Sequence, residues 1–163
     1  MHGFAPGLFD KLMGDSNVAS SHGVIKRLSL DEIKNTVARD LESLLNTRVV
    51  IPDEILKSYP ECSNSIVAYG LNDFAGMSLA STNDRVEICR CLEESIGRHE
   101  PRLKNVKASL EIQEGAINRL NFAITALLVV RSMQEPVNFD AVLQPSTLQY
   151  SISATSRAVR IGI

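Results

Sequence analysis

The hydrophobic period of this chain changes at His99-Glu100-Pro101-Arg102, and that change limits which parts can be helix and which can be sheet. Apolar residues before the tetrapeptide return every three or four positions, and those after it alternate. Pro101 sets the boundary, because its ring removes a helix donor and pushes Glu100 out of the helical region. Glu100 then falls at the negative end of the helix dipole, where a carboxylate is mildly unfavourable. Arg102 brings five donors in a fixed fork, enough to pair with that carboxylate or to reach across an interface. On the residues alone, a helix stop followed by a surface ion pair of little worth to stability is the favoured reading.

On the helical side, Ser29-Leu30-Asp31-Glu32 is a capping box with Ser29 as the cap and Glu32 at the third helical position. Ile33, Val37, Leu41, Leu44 and Leu45 form one stripe, so a helix is predicted from Leu30 to about Leu45, ending near Asn46. Lys34, Arg39, Asp40 and Glu42 mostly point away from that stripe. Pro52, Pro60, Gly70 and Gly76 interrupt the next stretch, which leaves room for a helical turn near Asp53 to Ser58. Tyr69-Gly70-Leu71-Asn72-Asp73-Phe74 reads as a turn that packs Tyr69, Leu71 and Phe74 and leaves Asn72 and Asp73 wet. A second helix, capped by Thr82 or Asn83, carries Val86, Cys89, Leu92 and Ile96 as its buried seam, broadened by Ile88. Gly97 weakens its last turn by roughly 1 kcal/mol relative to alanine.

Beyond Pro101 the pattern is strand. Val106, Ala108, Leu110 and Ile112 alternate with Lys107, Ser109 and Glu111, and Gly115 lies in the following turn. Leu120, Phe122, Ile124, Ala126, Leu128 and Val130 line one face of the next strand. Ala123, Leu127 and Val129 line the other, which makes it central or covered on both sides. Pro136 breaks this run before Val137, Phe139, Ala141 and Leu143 alternate again. Gln144-Pro145-Ser146-Thr147 turns the chain, and Leu148, Tyr150 and Ile152 give a shorter last strand. Short turns make neighbouring strands antiparallel. The expected fold is α+β, two main helices packed on one face of an antiparallel three- to four-stranded meander.

A chain of 163 residues supports one domain, here expected over residues 24–154. It is preceded by an arm and linker over 1–23 and followed by a tail over 155–163. The arm's Leu8, Phe9, Leu12 and Met13 fall at helical spacing, and Gly14 to Gly23 is rich in Gly, Ser and Asn. Two helical turns on a tether do not stay folded alone, so the arm docks on its own domain or on a partner. A formal net charge of −2 argues against nucleic-acid binding. The most apolar run, Leu120 to Val130, is far short of a membrane span, and no signal-peptide pattern opens the chain. Cys62, Cys89 and Cys91 lack chelating spacing, which suits reduced thiols in a cytoplasmic protein.

Catalytic patterns are missing from the sequence. The three histidines are scattered, and no nucleophile elbow, zinc-protease helix, phosphate loop or dinucleotide fingerprint occurs. Glu93, Glu94 and Glu100 could be offered as glycosidase carboxylates, but a general acid needs burial or a second anion beside it. Glu100 has Arg102 nearby instead, and Glu93 and Glu94 fall on an exposed helix side. The expectation is no enzyme, no cofactor and no metal.

Four segments in order resemble the TssE family of type VI secretion baseplates, itself part of the contractile-phage baseplate-wedge proteins often labelled "lysozyme-like". They are Leu8-Phe9-Asp10-Lys11-Leu12, Leu45-Asn46-Thr47-Arg48, Tyr69-Gly70-Leu71-Asn72-Asp73 and His99-Glu100-Pro101-Arg102-Leu103. Glu135-Pro136-Val137-Asn138-Phe139-Asp140 is similar to the segment before that family's last strands. Asn72 stands where the family often has proline, Val49 to Ala68 is longer than expected, and Gly97 replaces a stronger helix former.

The resemblance implies a structural baseplate subunit present in about six copies by the tail's six-fold symmetry. It assigns sheath binding to Glu100, Pro101 and Arg102, with strands of the sheath subunits TssB and TssC added at the sheet edge. It implies the wedge proteins TssF and TssG as partners, with TssK nearby, and the arm residues Leu8, Phe9, Leu12 and Met13 as a wedge contact. Arg102→Ala is then expected to leave the isolated fold nearly intact and abolish sheath attachment. An anti-adaptor that shields a response-regulator adaptor also carries His-Glu-Pro-Arg and is one alternative. A cell-wall hydrolase, suggested only by the family label, is another.

Overall fold

Helix α1, Leu30–Leu45, starts where the capping box predicts it: the Ser29 hydroxyl accepts from the Glu32 N–H at 3.2 Å, and the Glu32 carboxylate accepts from the Ser29 N–H at 2.7 Å. Its stripe is buried as expected, with Val37, Leu41 and Leu45 fully enclosed, and Asn46 ends it. The computed structural model describes residues 28–74, 76–78, 81–111, 120–144 and 146–155. The arm, Ile112, the Gly115 turn and residues 156–163 lie outside these.

The poorly patterned stretch after α1 holds two short helices, α2 (Asp53–Lys57) and α3 (Pro60–Ser63), and a 3-10 turn over Ile66–Ala68. The first was expected and the others were not, because single turns offer no periodicity to read. Tyr69, Leu71 and Phe74 pack toward the core while Asn72 and Asp73 stay exposed.

Helix α4, Thr82–His99, departs from its predicted details in two ways. Its cap is Ser81, whose hydroxyl accepts from the Asp84 N–H at 3.3 Å, rather than Thr82 or Asn83. Its buried face is Ile88, Leu92, Ser95 and Ile96, while Val86 is 64% exposed and Cys89 half-buried. The 86, 89 and 93 positions look along a sheet edge instead of onto the sheet face.

Four antiparallel strands follow in sequential order: β1 (Leu103–Glu111), β2 (Leu120–Val130), β3 (Met133–Gln144) and β4 (Gln149–Thr155). The sheet is open. β2 is central as predicted, with Ile124 opposite Ala108 on one side and Phe139 on the other. Helix α1 lies against β4 and α4 against β1, and between them the sheet contributes Leu103, Phe122, Ile124, Leu128, Phe139 and Tyr150 to one core. The α+β meander is therefore as expected, with four strands.

Two strand boundaries differ. β3 begins at Met133, so Pro136 sits inside it opposite Leu127 rather than breaking a run. Pairing with β4 is described from Asn138 onward, and among the described residues Pro136 is paired on its β2 side alone. Leu148 belongs to the turn before β4, with φ +54° and half its surface exposed.

Tyr150 supplies a first prediction. Its ring packs beside Phe122, yet its buried hydroxyl has no hydrogen-bond partner among the described residues. Burial pushes the phenol up to about 12, with Arg48 working in the opposite direction. The unfolded side chain ionises near 10, so stability is present below that pH and lost as pH rises toward 12. Tyr150→Phe is expected to gain up to about 1 kcal/mol at pH 7. In urea melts it should also lose less stability than the parent chain between pH 10 and 12.

Candidate functional site

The corner after α4 is built by the residues that end the helix. The Glu100 N–H still donates to the Ile96 carbonyl at 2.8 Å, but its backbone is already extended (φ −118°, ψ 84°), as the following proline requires. The Leu103 N–H closes a turn onto the Glu100 carbonyl at 3.1 Å. The Val129 N–H donates to the Arg102 carbonyl at 2.8 Å, which joins the corner to β2. One residue on, β1 carries a bulge: the register with β2 slips between Lys104 and Lys107, and Asn105 takes φ +53°.

The Glu100 side chain turns back into this corner and is only 7% exposed. It accepts from Arg102 three times, from Nε at 2.7 Å, Nη2 at 2.5 Å and the backbone N–H at 3.2 Å. The same Nη2 also donates to Asp40 of α1 at 2.5 Å. The hydrogen bonds to Glu100, followed by those to Asp40, raise the guanidinium above its ordinary range despite partial burial. One arginine thus ties the end of α4, the start of β1 and the middle of α1 together.

The motifs singled out in the sequence converge here. The His99 Nε2 lies 3.0 Å from the Ala68 carbonyl and its ring meets Tyr69 edge-on at 5.4 Å. Burial lowers the His99 imidazole below its usual value, against the pull of the Ala68 carbonyl. Burial, then the charges of Asp40 and Glu100, raise the Tyr69 phenol, which places it in the same cluster. Ser95 donates to the Gly70 carbonyl at 2.7 Å, and Leu71 forms a parallel bridge with Arg48. Asn46-Thr47-Arg48, Tyr69-Gly70-Leu71 and His99-Glu100-Pro101-Arg102 are therefore one continuous structure.

A sequence model of the family described as "Baseplate wedge protein gp25" matches residues 31–133, well over half of the chain. The chain belongs to the baseplate wedge protein gp25 family. Comparison with curated proteins finds none that matches. The gp25 match takes in α1, α4, β1, β2 and the whole corner, and this is a family of structural baseplate proteins.

Within this gp25 domain, the corner corrects the plain reading of Glu100 and Arg102. They do not form a surface ion pair, because Glu100 is buried and held by a bidentate fork. Arg102→Ala was expected to leave the isolated fold nearly intact; the buried fork instead predicts a loss of stability, since removing it strands a buried carboxylate. Pro101 is exposed at the outside of the turn. Leu8, Phe9, Leu12 and Met13 lie outside the described residues.

Several polar residues expected to face solvent instead meet the gp25 sheet. Glu42 of α1 reaches β4 beside Asn46, the expected helix end, Asp40 reaches Arg102, and Glu93 accepts from the Ala108 N–H of β1 at 2.9 Å. Glu94 remains exposed, as expected. The cysteines are free thiols, and burial raises those of Cys89 and Cys91, away from reactive thiolate. Among the described residues no cluster of three metal-binding side chains occurs, and no helix is long and apolar enough to cross a membrane. Five exposed large apolar residues, Val50, Ile55, Tyr59, Ile66 and Val67, crowd the stretch that is longer than expected for the family.

Proposed function

We propose that this gp25-family chain is the structural subunit of a bacterial type VI secretion baseplate that joins the wedge to the first sheath ring, and that it is not an enzyme. The observation that carries the reading is the self-contained Glu100–Arg102–Asp40 corner at the head of an open antiparallel sheet. Such a corner fixes the angle at which the sheet leaves the helices. An incoming sheath strand then meets a backbone ladder held in one orientation. Glu100 and Arg102 act by shaping that edge, and Pro101 fixes the turn.

Wedge contact falls to other surfaces, the arm residues Leu8, Phe9, Leu12 and Met13 and the apolar cluster from Val50 to Val67. TssF and TssG are the partners proposed there, with TssK in the same assembly. Both Glu100 oxygens are occupied by Arg102, which leaves that carboxylate poorly placed for general acid chemistry.

Co-purification of the full chain with sheath subunits and, separately, with wedge proteins tests this division. Removing residues 1–23 is expected to reduce wedge recovery about tenfold, the effect of roughly 1.4 kcal/mol, and to leave sheath recovery unchanged. Failure of the intact chain to recover sheath subunits would overturn the reading.

A further inference from the structure

A cavity of about 490 Å³ opens between α2, α3 and the second half of α4. Its apolar floor is Leu56, Ala68 and Leu71, all nearly enclosed, with the half-buried Cys91 beside them. Next in sequence to lining residues stand the exposed Val50, Ile55, Tyr59 and Val67, so apolar surface continues outward from it. The polar rim is unevenly matched. Glu94 holds Arg90, and Asp53 accepts from the Asn72 amide at 3.3 Å. Lys57 and Arg98, on the same rim, make no ion pair among the described residues. Apolar surface beside two unmatched cations suits an apolar segment that carries a carboxylate.

The chain has such a segment ahead of α1. Leu8, Phe9, Leu12 and Met13 fall on one side of a helical period, and Asp10 borders that side. Two turns of helix need a surface to fold against. Gly14 to Arg27 are 14 residues, which reach about 46–50 Å when fully extended. The span they have to cover is near the length of α1, about 24 Å. They precede the start of that helix, and the cavity lies at its other end, where the Leu71 N–H donates to the Thr47 carbonyl at 2.9 Å.

We propose that in the free chain the arm seats Leu8, Phe9, Leu12 and Met13 in this cavity, with Asp10 against Arg98. The seat exists before assembly and does not depend on which partner later draws the arm out. Joined to the wedge reading above, it is a latch that the wedge opens. A tether of this length holds the arm at an effective concentration on the order of millimolar, so a seat too weak to retain a free peptide still stays closed. The same weakness lets a partner of micromolar affinity take the arm while the domain stays folded.

Cys91 reports on the seat because it lines the cavity, and Cys89, on the β1 side of the same helix, is the control. Alkylation of the full chain at one alkaline pH is read at each cysteine by peptide mass spectrometry. Phe9→Ser with Leu12→Ser is expected to raise the Cys91 rate about tenfold, the change for an arm seated about nine-tenths of the time, and to leave Cys89 unchanged. Asp10→Lys should give a smaller rise of about threefold, the effect of one exposed ion pair. An unchanged Cys91 rate in both variants would overturn the inference. So would a matching rise at Cys89, which would mean a loosened α4. Protection that grows with chain concentration would place the arm on a second copy, and protection that appears only with added wedge proteins would make the cavity their seat. Either result overturns the latch. Wedge recovery is read separately in the pull-down, so the wedge reading stands or falls on its own.

Discussion

Arg102→Ala is expected to lower the stability of the isolated chain by about 3–5 kcal/mol, because it removes the donors from a buried carboxylate instead of deleting a surface contact. Glu100 loses the Nε and Nη2 bonds that occupy both its oxygens and keeps only a backbone N–H at 3.2 Å. With a side chain 7% exposed, it has little access to water as a substitute. For a chain of this size the melting temperature should fall by about 10 °C. Arg102→Lys should recover only part of the loss, since an ammonium does not reproduce the planar fork. Asp40→Asn should cost less than about 1 kcal/mol, because Asp40 is 40% exposed and bonds only one edge of the guanidinium. Urea denaturation of the three variants at neutral pH checks the order. A loss below about 1 kcal/mol for Arg102→Ala would mean that water reaches Glu100 and that the corner is softer than its geometry states. With the predicted order, the sheath attachment proposed above would be lost in Arg102→Ala through a corner that no longer holds its angle.

The parts of this fold that were legible in the sequence are those governed by period. Ser29 and Glu32 announce α1, the stripe from Ile33 to Leu45 gives its buried face, and the alternation from Leu120 to Val130 places β2 at the centre. Polar residues that act at long range were not legible. Asp40 lies one helical turn from Thr36 and two from Glu32, and nothing in that spacing marks it as the partner of a residue 62 positions away. Glu42 and Asn46 likewise look like solvated ends of a helix until β4 is folded against them, 110 and 104 positions later. Val86 misleads in the other direction. Its spacing fits the α4 seam, but the helix lies at the margin of the sheet, so the side that would be core in a broader sheet faces an open edge. The burial of Glu100 has the same origin: the dipole argument disfavours the charge locally, and only the returning Arg102 and the approach of α1 make the position tolerable.

Gly70→Ala is expected to be the other severe substitution, costing about 3 kcal/mol or more through backbone strain and overpacking together. Gly70 has φ +127°, a region that residues with a side chain rarely enter, and a methyl placed there would sit 2.6 Å from the Thr47 carbonyl oxygen and 2.9 Å from its carbon. Those atoms cannot give way cheaply, because the same carbonyl accepts from the Leu71 N–H at 2.9 Å and Leu71 in turn accepts from Val49 at 2.9 Å. Relieving the clash by rotating Gly70 would turn its own carbonyl away from Ser95 and withdraw Leu71, which is 1% exposed, from the core. The damage should therefore spread to both sides of the corner. Exchange at the Leu71 and Val49 amides should rise, and His99 should lose its packing on Tyr69. Gly97 supplies the contrast within the same chain. It lies exposed in the last turn of α4 with nothing within 4 Å of an added methyl, so Gly97→Ala should gain about 0.5–1 kcal/mol. If the two alanines moved stability by similar amounts in urea melts, the close approach of Gly70 to Thr47 would not be holding the two motifs together, and the corner would have to be stabilised by Arg102 alone.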